Sequence, residues 1–278
     1  MSGTTGGRLA CWPAVTSPDR RADLALALQL ADLADAITLP RFRAADLRVT
    51  AKPDRTPVTD ADTAAEEALR AALAGERSTD AILGEEGGGS VEGLGGRGWV
   101  LDPIDGTKNF SRGMPAWASL IALTENGVPT VGVASAPALG RRWWAATGHG
   151  AWTSDRAGGE ARRIAVTGVA SLADCYVSTT NLNTFREQGT LDGWLALTDA
   201  CWETRAFGDF WQHCLVAEGI IDLAVEPAAN PWDLAAVQVI VEEAGGRLTD
   251  LRGVPGFAGG DGLASNGLLH AAALAALG

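Results

Sequence analysis

The stretch that decides the fold is residues 99–110, which read WVLDPIDGTKNF. The apolar run 99–101 is typical of the end of a buried strand, and Asp102 and Asp105 follow it at once, one on each side of a proline. A buried carboxylate needs a charge partner. The pattern therefore predicts a pair of acids that chelates a cation at the end of a strand. The alternative is a local turn in which an aspartate side chain bonds its own backbone.

Gly106, Thr107 and Lys108 complete the motif. If a helix begins at the glycine, its free N–H groups face the same place as the two carboxylates, and such groups bind anions. The threonine hydroxyl and the lysine ammonium favour the same ligand. A cation site beside an anion site indicates a substrate that contains phosphate.

Further acidic residues lie at strand ends and helix starts, where open α/β folds build their sites. Glu85 and Glu86 end a short apolar run, and Asp62 and Asp233 each open a helical pattern. Carboxylates suit Mg²⁺, which prefers oxygen ligands, whereas the three histidines of the chain have no zinc-site spacing. Each acid also has a plainer interpretation: Asp62 and Asp233 as helix N-caps, and the glutamates as a solvated turn.

Composition narrows the function classes further. A chain of 278 residues that is 46% hydrophobic can bury a sizeable core, and a net charge of −12 argues against nucleic acid or an anionic membrane surface as a partner. The four cysteines form no CxxC pair, which is typical of free thiols in a cytosolic protein. No apolar run reaches the ~18 residues that a transmembrane helix needs. We therefore expect a cytoplasmic enzyme.

The order of the predicted elements indicates a layered α/β (α+β) architecture. Residues 1–17 are predicted to be a disordered tail, residues 18–155 an N-terminal lobe with the main acidic motifs, and residues 156–278 a C-terminal lobe that supplies the last acid and the substrate contacts. Strands occur in runs in the first lobe and alternate with helices in the second.

Several local predictions accompany that division. A helix is expected from Pro18 with Pro40 after its end, a loop over 52–62, and a second helix from about Ala61 that Asp60 or Asp62 caps. Residues 185–200 are predicted to form one helix.

Three segments together resemble a known superfamily. GEEGG at 84–88, DPIDGTKNF at 102–110 and PWDLAAVQVIVEEAGG at 231–246 resemble, in this order, the inositol-monophosphatase-like superfamily of Mg²⁺-dependent, lithium-sensitive phosphatases. The resemblance runs from about residue 20 to the end. It implies a layered αβαβα sandwich of the inositol monophosphatase and fructose-1,6-bisphosphatase type, two to three Mg²⁺ ions per active site, a small phosphate ester as substrate, and a homodimer.

The resemblance also implies the roles of individual residues. Water made acidic by the cations would attack phosphorus, with Asp62 and Thr107 orienting it and removing its proton and Glu85 completing the catalytic set. Backbone N–H groups at Gly106 and Thr107 would hold the phosphoryl oxygens. The implied metal ligands are Glu85, Asp102, the Ile104 carbonyl, Asp105, Asp233 and, near a third metal, Asp62.

Outside the metal motif the chain resembles the histidinol-phosphate phosphatases of this superfamily, which serve histidine biosynthesis. Where inositol enzymes have small residues, this chain has a Gly-Asp-Phe-Trp stretch at 208–211. Histidinol phosphate carries an ammonium and an imidazole, and we expect Asp209 and Glu226 to pair with them. Asn181 is expected to add a hydrogen bond. The implied substrate-binding residues are Asp105, Gly106, Thr107, Lys108, Arg205, Asp209, Glu226 and Asp233.

Alternatives remain at this point. Asp209 has a second interpretation as a helix N-cap, and Arg205, expected to reach phosphate from a neighbouring subunit, has one as a surface ion pair. The alternative substrate is inositol 1-phosphate or another small sugar or nucleotide phosphate. A binding protein that has lost its chemistry is disfavoured because every implied metal position carries an oxygen ligand.

Overall fold

Two sheets organise the computed structural model, which describes residues 20–53, 56–155 and 159–278. The predicted tail at 1–17 lies outside the described residues. The helices are α1 Arg20–Arg41, α2 Asp60–Glu76, α3 Thr107–Ser111, α4 Leu182–Gln188, α5 Leu191–Ala200, α6 Asp209–Ala217, α7 Pro231–Glu243 and α8 His270–Leu277.

The strands fall into a short hairpin and two larger sheets. The hairpin pairs β1 Val49–Ala51 with β2 Pro57–Thr59. The first sheet contains, in spatial order, β3 Ala81–Gly84, β4 Arg97–Asp105, β5 Ala118–Glu125, β6 Val128–Ala136, β7 Arg141–Ala146, β8 Ala151–Ser154 and β9 Arg162–Ile164. The second sheet has the order β11-β10-β12-β14-β13 and contains β10 Tyr176–Thr179, β11 Glu203–Arg205, β12 Leu223–Glu226, β13 Arg247–Thr249 and β14 Gly262–Ser265.

The alternation of apolar residues along the strands explains the layers. In β4, Trp99 and Leu101 pack with α1 and α2, whereas Val100 faces the opposite way into a cluster with α6 and α7. That central cluster also contains residues of the second sheet, such as Ala224 and Ala264. The far face of the second sheet packs against α4, α5 and α8. The layered α/β (α+β) fold and the αβαβα sandwich are therefore confirmed.

Close contact between α7 and the first sheet positions the start of that helix. Gly132 in β6 has no side chain where a Cβ would lie 2.2 Å from the Ala236 carbonyl oxygen of α7. Any larger residue would push the helix away from the sheet. The glycine thus lets α7 run close above the sheet, with Asp233 in its first turn.

The boundary between the two predicted lobes stays a prediction. The first sheet extends to Ile164, beyond the predicted boundary at 155, and α6 and α7 pack between the two sheets. No helix within the described residues is both long enough and apolar enough to cross a membrane.

Several local predictions were wrong. The predicted loop 52–62 contains β2, which pairs with β1, and Pro40 lies inside the last turn of α1 instead of after it. The predicted helix 185–200 is divided into α4 and α5 because Gly189 adopts a left-handed φ of 74°.

Candidate active site

Parallel pairing of β3 and β4 brings acids from two strands to one edge of the first sheet. Gly84 lies opposite Leu101, so Glu85 and Asp102 follow neighbouring positions. The strand does not end at Leu101 as predicted, because β4 continues to Asp105 with an irregularity in its pairing with β5 between Asp102 and Asp105. Such bulges often redirect side chains next to active sites.

Three carboxylates meet at this edge. Asp102, Asp105 and Asp233 each offer an oxygen, and these oxygens lie within 4.8 Å of one another. Burial raises the pKa of Asp102 and Asp105 well above the usual value, and negative neighbours raise them further. Burial also raises the pKa of Asp233 to about 7. An all-oxygen group with this much mutual repulsion fits a hard divalent cation such as Mg²⁺.

Asp102 also makes the local turn that the sequence offered as an alternative. Its Oδ1 accepts a hydrogen bond from the backbone N–H of Ile104 at 2.9 Å. The two interpretations are compatible, because this bond orients a carboxylate that still belongs to the acidic group. The carbonyl of Ile104 in turn accepts a hydrogen bond from the Thr107 hydroxyl at 3.0 Å, which holds the turn closed.

Glu85 lies near the three carboxylates but outside their 4.8 Å grouping. Its charge is the largest electrostatic contribution, after burial, to the raised pKa of Asp102. The ammonium of Lys52 lies 2.7 Å from Glu85 Oε1 and 2.6 Å from Glu86 Oε1. Lys52, on the segment after β1, was missed by the sequence analysis.

Glu66 of α2 binds the backbone of the loop that follows Glu85. Its carboxylate accepts hydrogen bonds from the backbone N–H groups of Glu86 at 2.7 Å and Gly87 at 2.8 Å, and it pairs with Arg70 at 2.7 Å. The spacing of Glu66 and Arg70, four residues apart on one helix, is the signal that would have indicated the pair. Nothing local indicated that the pair reaches the loop.

Asp62 lies at the start of α2, although it does not cap the helix. The N-cap is Thr59, and Asp62 accepts hydrogen bonds from the Thr59 backbone N–H at 2.9 Å and hydroxyl at 2.5 Å. The predicted cap at Asp60 or Asp62 was therefore wrong, because both residues are already helical. The other oxygen of Asp62 lies 3.2 Å from the hydroxyl of Thr107. Burial raises the pKa of Asp62 to about 6.

Helix α3 begins directly after Gly106, where the sequence analysis considered a helix start, and the glycine is left-handed. Gly106 has a φ of 87°, and a Cβ there would lie 3.0 Å from the Ala116 carbonyl oxygen and 3.3 Å from Oδ2 of Asp209. Both the backbone conformation and the crowding favour glycine. Lys108 is exposed on α3; burial raises the pKa of Asp209, and the charge of Lys108 opposes that rise.

A pocket of about 100 Å³ lies next to the acidic group. Its lining includes Asp105 and Asp233 of that group together with Asp209, Glu226, Thr180 and His213. The structure thus brings together four of the predicted substrate-binding residues, from β4, α6, β12 and α7. Thr180 and His213 were missed, since neither lies in a pattern that suggests chemistry.

The two additional carboxylates of the pocket are each held by protein donors. Asp209 Oδ2 accepts a hydrogen bond from Asn109 Nδ2 at 3.0 Å, and burial raises the pKa of Asp209 to about 6. Glu226 Oε1 accepts hydrogen bonds from the Thr180 hydroxyl and from Gln212 Nε2, while burial raises its pKa well above the usual value. The N-cap of α6 is Gly208, so the interpretation of Asp209 as a cap was wrong.

Two predicted contacts lie away from the pocket within the described chain. Arg205 is exposed on β11 and pairs with Glu203 at 2.5 Å, which matches its interpretation as a surface ion pair. Asn181 caps α4, and its Oδ1 accepts a hydrogen bond from the Asn183 N–H at 2.9 Å. A contribution of Arg205 to a neighbouring subunit stays a prediction.

Comparisons with known proteins agree with this fold. The profile of the inositol monophosphatase family matches residues 19–277. Relatives named histidinol-phosphatase are 55% identical in Mycobacterium tuberculosis, covering 89% of this chain and 95% of that protein, and 53% identical in Streptomyces coelicolor, covering 91% and 96%. A solved structure of an inositol monophosphatase from Zymomonas mobilis superimposes with a TM-score of 0.81 at 33% identity, covering 94% of this chain and 99% of that one. The chain therefore belongs to the inositol monophosphatase family and is a phosphatase.

Proposed function

We propose that this phosphatase hydrolyses L-histidinol phosphate to L-histidinol and inorganic phosphate, with two to three Mg²⁺ ions as cofactors. The observation that carries the proposal is the pair Asp209 and Glu226, which lines one pocket with Asp105 and Asp233. In this proposal the acidic group binds the phosphate of the substrate through a cation. Asp209 and Glu226 bind the alcohol part of the substrate. The relatives named histidinol-phosphatase support the same substrate.

The donor set supports Mg²⁺ at the edge of the first sheet. The carboxylates of Asp102, Asp105 and Asp233 would hold the metal, with Glu85 and the Ile104 carbonyl as further ligands on the family pattern. When bound, Mg²⁺ offsets the negative charge of the phosphate and makes a nearby water more acidic.

The residues around the metal site have distinct tasks in this proposal. Asp62 and the Thr107 hydroxyl, 3.2 Å apart, orient the attacking water and accept its proton. A pKa of about 6 suits a carboxylate that works as a base near neutral pH. The backbone of Gly106 and Thr107 lies at the start of α3, where N–H groups favour an anionic oxygen.

The chemistry of the pocket favours a cationic alcohol over a neutral one. One oxygen of Asp209 and one of Glu226 bond to protein donors, and among residues 20–53, 56–155 and 159–278 no donor meets the second oxygen of either, which leaves it for a ligand N–H. Histidinol phosphate has an ammonium and an imidazole to fill those two places. A neutral polyol such as inositol would give the buried Glu226 and the half-buried Asp209 no cationic ligand group, which is unfavourable.

A phosphatase of inositol 1-phosphate or of another small sugar or nucleotide ester is the second candidate. The likeness to the inositol monophosphatase of Zymomonas mobilis favours it, since the two chains share fold and extent. That relative has 33% identity, against 55% for the histidinol-phosphatase of Mycobacterium tuberculosis.

The test is phosphate release with and without Mg²⁺ from four esters: histidinol phosphate, inositol 1-phosphate, fructose 1,6-bisphosphate and adenosine 3′,5′-bisphosphate. We expect Mg²⁺-dependent release and a kcat/KM for histidinol phosphate at least ~100-fold above the others, or ~2.7 kcal/mol of discrimination. A flat profile or a preference for another ester would contradict the substrate. The proposal places the reaction in histidine biosynthesis in the cytoplasm and expects a homodimer.

A further inference from the structure

Thr180, the residue after β10, contacts both of the additional carboxylate residues of the pocket. Its Oγ1 accepts a hydrogen bond from the backbone N–H of Asp209 at 2.8 Å and another from Gln212 Nε2 at 3.3 Å. Its hydroxyl donates to Glu226 Oε1. A hydroxyl has one hydrogen and two lone pairs, so these three bonds use its full capacity. Each bond therefore has a defined direction.

The direction of these bonds presents Glu226 as an acceptor. Gln212 Nε2, which bonds to Thr180, also donates to Glu226 Oε1. Thr180 and Gln212 thus both donate to Oε1 of Glu226. The two donors are also bonded to each other. Gln212 is fully buried, so its rotation is restricted by packing. The second oxygen of Glu226 keeps one orientation toward a ligand.

The same hydroxyl holds the backbone that carries Asp209. Asp209 has a φ of 47°, and Gly208 before it has a φ of 77°, so two successive residues adopt left-handed φ values. The left-handed region is unfavourable for a residue with a Cβ, although Asp tolerates it better than most. The 2.8 Å bond from the Asp209 N–H to Thr180 stabilises this turn at the start of α6.

We propose that Thr180 is a positioning residue that sets the substrate specificity of this site. Its hydroxyl fixes Asp209 and Glu226 relative to each other, so that the pocket selects phosphate esters whose alcohol carries two cationic or N–H-bearing groups. Thr180 acts through these two carboxylates. The inference rests on the proposed function, since it assumes that Asp209 and Glu226 bind the alcohol.

Thr179, the last residue of β10 and the neighbour of Thr180, provides a matched control. Its hydroxyl donates to the Val225 carbonyl oxygen at 2.8 Å in a buried position outside the pocket lining. Thr179→Val and Thr180→Val therefore remove the same group from adjacent residues. Thr180→Ser keeps the hydroxyl and removes only a methyl group.

The experiment measures kcat and KM for histidinol phosphate and for p-nitrophenyl phosphate, which has no cation, with Mg²⁺ present. We expect Thr180→Val to lower kcat/KM for histidinol phosphate by about 10- to 100-fold, mainly through KM, and for p-nitrophenyl phosphate by less than about threefold. Thr180→Ser should stay within about threefold of the unmodified protein on both esters. Thr179→Val should affect the two esters equally.

Equal losses on the two esters in Thr180→Val, or a Thr180→Ser variant as impaired as Thr180→Val, would overturn the inference. If the unmodified enzyme does not prefer histidinol phosphate over inositol 1-phosphate, the proposed function fails instead. If it does and Thr180→Val keeps that preference, only the inference fails. Should Thr180→Val not fold, Gln212→Met removes the donor shared by Thr180 and Glu226, and its loss must again be specific to histidinol phosphate.

Discussion

The hydroxyl of Thr107 lies 3.2 Å from Oδ1 of Asp62, although 45 residues separate them along the chain. The contact joins the first turn of α2 to the first residue of α3. Asp62 uses its other oxygen to bond Thr59, so its carboxylate cannot rotate away from Thr107 without breaking the capping box. A buried carboxylate in one orientation beside a hydroxyl is suited to handle a proton.

Replacing that carboxylate should abolish most of the activity. We expect Asp62→Asn to lower kcat by about 10²- to 10⁴-fold with little change in KM, because the amide oxygen can keep the bonds from Thr59 while the amide nitrogen then faces Thr107 and accepts no proton. Steady-state kinetics with histidinol phosphate would measure this. Asp60→Asn is the control, since Asp60 pairs with Arg41 at 2.9 Å on the outside of the same helix turn. Comparable losses in both variants would contradict the assignment.

Removing one member of the acidic group should weaken metal binding and turnover together. Asp105→Asn is expected to lower kcat by orders of magnitude and Mg²⁺ affinity by about 10- to 100-fold, because a charged ligand becomes neutral. The fold should persist, since an amide oxygen can still accept the Phe210 N–H that Asp105 Oδ2 now accepts at 2.5 Å. Calorimetric titration with Mg²⁺ and a thermal melt would measure the two effects. Retained turnover would defeat the metal assignment.

Neutralising Asp209 should impair hydrolysis of an ester with a cationic alcohol more than hydrolysis of an ester without one. Asp209→Asn removes a charge that we expect to bind a cation of the alcohol, so kcat/KM for histidinol phosphate should fall about 10- to 100-fold more than for p-nitrophenyl phosphate. Asp199→Asn, a neutralisation of an exposed residue at the end of α5, controls for net charge. Equal losses on the two esters would remove the argument for recognition of the amine.

The stabilising effect of Mg²⁺ should increase with pH. The pKa of Asp233 rises from an unfolded value of ~3.9 to about 7 in the fold, and Asp102 and Asp105 shift in the same direction. A carboxyl group whose pKa is raised by folding stabilises the fold while protonated and loses that contribution as pH rises through the folded pKa. Between about pH 4 and 8 these carboxyl groups therefore ionise in the folded metal-free protein, their mutual repulsion increases, and the free energy of unfolding decreases.

Melting temperatures at pH 5 and pH 8, each with Mg²⁺ and with a chelator, would measure this effect. We expect the Mg²⁺-induced increase to be larger at pH 8, because the metal binds ionised carboxylates. Taking the difference at each pH cancels groups remote from the metal site. Asp233→Asn should reduce the pH dependence of that difference. An increase that is the same at both pH values would contradict the role of the acids.

Part of the site was visible in local patterns. Asp102 and Asp105 were predicted from their place at a strand end, and a helix start at Gly106 was considered from the residue type, since both features depend on neighbours in sequence. The cap at Thr59 could have been predicted as well, because a threonine three residues before an acid is a capping-box pattern. The assignment to Asp60 or Asp62 placed the helix start too late.

Other contacts could not be predicted from any local sequence pattern. Lys52 pairs with Glu85 across 33 residues, and Asn109 bonds Asp209 across 100. Thr180 meets Glu226 across 46 residues. A threonine or an asparagine in a loop has many possible partners, so only the folded chain shows which one it bonds.

The sequence by itself determined the layered fold class and the positions of the acids at element ends, because strand alternation, helix periodicity and residue type are local properties. Packing of α7 against the first sheet then brings Asp233 to Asp102 and Asp105. The resemblance implied Asp209 and Glu226 on the alcohol side of the pocket, and only the tertiary structure decided how the two are held and that Thr180 joins them. Asp209, Glu226 and Thr180 come from α6, β12 and the end of β10, and packing of α6 against the second sheet brings them together. These hydrogen bonds are strong because packing removes water and leaves the polar groups only one another as partners.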